Sequence, residues 1–119
     1  MYKIALVSLL FATIVSANEE LFVPGDTYRG QPIICRTQND ATELAEIYTQ
    51  KGVEEFHTAL IDKSEKHLCF AGQSISFVIV KEVSAHVGEE TVYVIEVSSG
   101  GTHYIVTTRK VAKLPTKFV

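Results

Sequence analysis

A small α+β domain is predicted by three features of this sequence. Apolar periodicity changes from helical to alternating near Cys69, two cysteines bracket the helical stretch, and the 119 residues leave room for one core. Each element follows from the residues in order.

Lys3 precedes an apolar run over residues 4–15, which is too short to span a bilayer but has the length of a secretory h-region. Val15-Ser16-Ala17 supplies the small residues of a cleavage site, so residues 1–17 are expected to be a signal peptide and 18–119 a single domain. No cysteine stands at the cleavage point, which argues against a lipid-anchored product.

The segment that follows is polar, and Val23-Pro24-Gly25-Asp26 places Pro and Gly at the centre of a type II turn. Leu21, Phe22 and Val23 form a short packing arm. Residues 31–35 read as a short buried strand whose Pro32 confines it to an edge or a strand start. Asp40 with Glu43 three residues on gives a reciprocal N-cap. Ala41, Leu44, Ala45 and Tyr48 then recur at helical spacing until Gly52, a glycine placed for a left-handed C-terminal turn. A second helix is predicted over 53–62 from Val53, Phe56 and Leu60, with 63–66 as a charged loop. Beyond Cys69, Ile75, Phe77 and Ile79 alternate with Val78 and Val80, a strand buried on both faces or bulged. A turn is expected over 83–88. The β-branched run 91–97 then passes through Ser98-Ser99-Gly100-Gly101 into a strand over 102–108, with a last short strand over 110–114.

The expected architecture is a small antiparallel SH3-like or partly open barrel, its helical hairpin inserted after the first strand. A Cys35–Cys69 disulfide would close the insertion, as two cysteines in an exported chain most simply pair. After cleavage the chain has 10 basic against 14 acidic residues, a formal charge of −4, which argues against nucleic acid as a partner. The last carboxylate is Glu96, so Arg109, Lys110, Lys113 and Lys117 make a basic tail that suits a guarded edge strand.

Catalytic chemistry finds little support. The cysteines are assigned to a bond, which removes His67 and Cys69 as a base and nucleophile. His57, His67, His86 and His103 share no metal-ligand spacing, and neither a metal nor a cofactor is expected. Gly72-Gln73-Ser74-Ile75-Ser76 lacks the second glycine of a nucleophile elbow. Glu89 and Glu90 point to opposite sides of an extended chain and form no glycosidase pair. Recognition surfaces remain: Tyr28, Tyr93 and Tyr104 either pack in the core and cap its edge or line a groove between the arm, the meander and the 98–102 loop, and His103 stands at a strand start beside the loop tip.

A short signal, a strand ending in Cys35, helices, Cys69 and hydrophobic strands with a Gly-Gly hairpin together resemble small uncharacterised exported proteins of phage and bacteria. The resemblance rests on layout and implies export and one disulfide, with no active-site residues to carry over. The function expected is a secreted or periplasmic binding module, monomeric and without a membrane span, that contacts a protein or cell-envelope component. The alternatives are an inhibitor of an envelope hydrolase or a phage exclusion factor, and a small hydrolase built on His57, His67 or His103.

Overall fold

A computed structural model describes residues 21–112; the expected signal segment and the far end of the tail, including Leu114, lie outside them. The chain runs β1 (Thr27–Gly30), β2 (Ile33–Cys35), α1 (Gln38–Lys51), α2 (Val53–Glu65), β3 (Cys69–Phe70), β4 (Ile75–Val87), β5 (Thr91–Ser98) and β6 (Thr102–Thr107). All strand pairings are antiparallel, in the order β1-β4-β5-β6-β2-β3, and the sheet curls into a half-barrel with two helices.

The central strand explains the layering. On β5, Val92 and Val94 pack under the helices with Leu44, Ala45 and Phe56, while Ile95 and Val97 pack on the other face with Phe77, Ile79 and Ile105. Successive residues of a strand face opposite sides, so a strand apolar at every position must be covered on both. The half-barrel supplies that cover with helices on one face and its own curl, together with the Phe22 arm, on the other.

Helix α1 begins three residues earlier than the Asp40 cap predicts. Thr37 is the N-cap: its Oγ1 accepts from Asp40 N at 3.2 Å and donates to Asp40 Oδ2 at 2.8 Å. Asp40 thereby becomes a first-turn acid facing the helix dipole. Gly52 ends α1 and opens α2 at φ 102° and ψ −179°, outside the left-handed helical basin that was expected, and its N–H reaches Ile47 O and Tyr48 O.

Helix α2 continues to Glu65, so the charged loop expected over 63–66 is mostly helical. The reason is Lys63. Its side chain turns inward and donates to Asp40 Oδ1 and Glu43 Oε1, both at 2.9 Å, tying the end of α2 to the start of α1. The Lys63 hydrogen bond holds Asp40 below the usual carboxylate range. Burial of Lys63 opposes its charge, and the two carboxylates outweigh that and raise its pKa.

The turn expected over 83–88 is strand as far as Val87. Register passes from Ile79↔Val97 to Lys81↔Glu96 and from Glu82↔Ile95 to Ser84↔Val94, so Val80 and Val83 are bulged residues. Each bulge adds bend and twist, which lets one 13-residue strand follow the curl. Of the last expected strand, the described part is a single parallel bridge, Val111 to Phe22. The Pro24–Gly25 turn forms as predicted, with Gly25 at φ 89° and Asp26 N on Val23 O at 3.0 Å.

The disulfide joins directly opposed residues. Cys35 pairs with Cys69 across β2 and β3, both fully buried, with a sequence separation of 34. The helical hairpin is thus closed at its base.

Candidate functional site: an aromatic cleft at the mouth of the half-barrel

The N-terminal arm and the segment after β6 meet over the face of the sheet turned away from the helices. Phe22 N donates to Lys110 O at 3.0 Å and Ala112 N to Phe22 O at 2.7 Å, which lays the Phe22 ring against Tyr28 and Phe77. Phe22 meets Tyr28 edge-on at 4.9 Å between centroids, and Tyr28 stacks on Phe77 at 6.2 Å. Arg109 sits over both outer rings, its guanidinium carbon 4.1 Å from the Phe22 centroid and 5.0 Å from that of Tyr28, and donates to Leu21 O at 3.3 Å.

A cleft of about 410 Å³ opens beside this cluster, with Phe22, Tyr28, Phe77, Ile105, Thr107 and Arg109 among its lining residues. Tyr28 is fixed by its hydroxyl, which accepts from Val23 N at 3.0 Å and donates to Leu21 O at 3.3 Å. Arg29, next in sequence, turns to the opposite face because strand residues alternate, and bonds Ser76 Oγ at 3.0 Å. The cleft therefore offers an aromatic and aliphatic wall with the Arg109 guanidinium over its outer rings, an arrangement that suits binding an apolar or aromatic group.

The four residues singled out for recognition separate by face. Tyr28 lines the cleft, and Tyr93 packs against the same apolar cluster. His103 shares the face of Ile105, its Nδ1 3.2 Å from Gly101 O, whereas Tyr104 turns to the opposite face and packs among the residues under the helices. Phe22, Phe77 and Arg109, which complete the site, were not legible as site residues. Arg109 is read from sequence as one tail cation among four, and the parallel bridge between Phe22 and Val111 brings it over the arm.

The aromatic cleft and the clefts beside the helices are lined without a histidine. His57 and His67 are exposed, and His86 Nε2 lies 3.0 Å from Ser84 Oγ on the helix-facing side of β4. That hydroxyl–imidazole pair has a nucleophile–base spacing, but it stands apart from the aromatic cleft and from the clefts beside the helices. Among the described residues no group of three His, Cys, Asp or Glu side chains is placed to hold a metal ion, and no helix is long and apolar enough to cross a membrane. No protein-family model, no curated protein and no solved structure matches the chain.

Proposed function

We propose that the protein is an exported, non-catalytic binding module that recognises a protein or cell-envelope component through the aromatic cleft. The observation that carries this reading is the cleft itself. Three aromatic rings and an arginine are held by backbone hydrogen bonds from two distant parts of the chain, so the surface is ordered before a partner arrives. A preorganised surface loses little entropy on binding. In this reading the half-barrel serves as an SH3-like platform, with recognition at its mouth, and the buried disulfide suits an oxidising compartment.

A photo-crosslinking residue at Gln31, on the cleft, tests the proposal against one at Gln73, in the exposed segment between β3 and β4. With the full precursor expressed in its host, the Gln31 probe is expected to capture a reproducible envelope product that the Gln73 probe does not. Equal labelling from both positions, or none from either, would overturn the cleft as the recognition surface.

A further inference from the structure

A second surface lies at another part of the molecule, where the tip between β4 and β5 meets the elbow between the helices. Gly88 packs against Thr49 so closely that a Cβ at position 88 would stand 3.0 Å from both Thr49 Cβ and Thr49 O. Tyr48 donates to Glu90 Oε1 at 2.8 Å, and that hydrogen bond raises the phenol's pKa. The turn closes on itself through Gly88 N to Glu90 O at 3.2 Å. Three tethers therefore fix a turn that would otherwise fray.

Two large apolar side chains remain in water at this rigid place. Val87, the last residue of β4, is 81 % exposed, and Val53, the first of α2, is 51 % exposed. Between elbow and tip is a cleft of about 360 Å³ lined by Tyr48, Lys51, Val53, Glu89 and Glu90 among others. The surrounding helices are acidic: with Lys63 and its partners Asp40 and Glu43 set aside as an ion pair, five carboxylates over 38–65 stand against one lysine, Lys51, which lines the cleft beside Glu89 and Glu90. Strand alternation turns Val87 away from α1, so a partner reaching the cleft must close around the tip to cover that side chain as well.

We infer that the β4–β5 tip and the helix elbow form a docking surface for a basic protein: an arginine or lysine of the partner enters the Tyr48–Glu89–Glu90 cleft, and apolar neighbours cover Val53 and Val87. The match in charge selects a cationic partner, the two valines supply area that gains by leaving water, and the tethers reduce the entropy lost in docking.

The test uses the mature ¹⁵N-labelled protein, with its disulfide intact, and the probe acetyl-Gly-Val-Arg-Val-Gly-amide. The same peptide with citrulline for arginine is the uncharged control. Amide shifts are expected at Tyr48, Val53 and residues 87–90, with the citrulline peptide about tenfold weaker because one charge-assisted hydrogen bond is lost. Glu89→Gln, which leaves the Tyr48–Glu90 bond in place, is expected to weaken binding by a similar factor, and Val87→Ser, at an exposed position, to weaken it without disturbing the spectrum elsewhere. Equal binding of both peptides, shifts confined to the aromatic cleft, or no shift at millimolar peptide would each overturn the inference. Because the probe reports on the elbow and the Gln31 crosslinker on the barrel mouth, either surface can fail without the other.

Discussion

Lys63 shows how much one residue can decide. Buried, it is tolerated because Asp40 and Glu43 accept hydrogen bonds from its ammonium, and it ties the two helices together at the ends away from their elbow. Lys63→Met is expected to destabilise the fold by about 1–3 kcal/mol, chiefly the penalty of leaving the part-buried Asp40 carboxylate without its donor, as read from urea unfolding at neutral pH. The pair also sets a pH window. Asp40, lowered by Lys63, contributes stability that is present above its unfolded value near 3.8 and is lost as pH falls through the lower folded value. Lys63, raised by its carboxylates, contributes stability that is complete below its unfolded value near 10.5 and is lost as pH rises through the higher folded value. Unfolding midpoints measured across pH should fall at both extremes, and Lys63→Met should flatten both limbs. None of this was legible in the sequence, where a lysine after a helical stretch reads as solvent-facing; only the fold of the hairpin brings residues 40 and 63 together. Gly88 is a second case. Gly88→Ala would drive a methyl group into the Thr49 backbone, and a cost of about 1–3 kcal/mol by thermal unfolding is expected from such overpacking.

At the scale of elements, the parts that announced themselves were those whose order is local. Ala41, Leu44, Ala45 and Tyr48 repeat at helical spacing, and Gly52 breaks the helix where predicted; strands β5 and β6 and the Gly-Gly hairpin follow from β-branched runs and turn residues. The misreadings cluster where a tertiary partner decides the outcome. Thr27-Tyr28-Arg29-Gly30 carries one apolar residue and so gives no strand signal of its own; it is a strand because β4 supplies a ladder for it. Residues 83–88 carry turn character in the sequence because two bulges break the period-2 pattern that identifies a strand. The cleft was hidden for the same reason, since Phe22 and Arg109 are 87 positions apart in sequence and meet where the parallel bridge at Val111 brings the two ends of the chain together.

At the scale of the whole molecule, one sheet has apolar residues on both faces, and each face is closed by different means. The disulfide bears on the helical face, because Cys35 and Cys69 are both in the cluster beneath α1 and α2. Replacing both cysteines with serine is expected to lower stability by about 4 kcal/mol in the chain-entropy account, for a sequence separation of 34. The check is denaturant unfolding of the double variant beside the parent. The compartment enters here as well. If residues 1–17 are removed on export, intact-mass measurement of the secreted product gives a chain beginning at Asn18, two hydrogens lighter than its reduced form. A product that retains Met1 and two free thiols would remove the basis for placing the protein outside the cytoplasm.

The sulfur bridge between β2 and β3 has an engineering consequence. It holds the Cα atoms of Cys35 and Cys69 4.0 Å apart, so everything strung between them leaves and re-enters the scaffold at nearly one point. Such a segment behaves as a cassette. Foreign helical hairpins of other lengths could be grafted between the two cysteines and need only carry one apolar stripe to roof Val92, Val94 and Val106, while the barrel mouth on the far face is left as it stands.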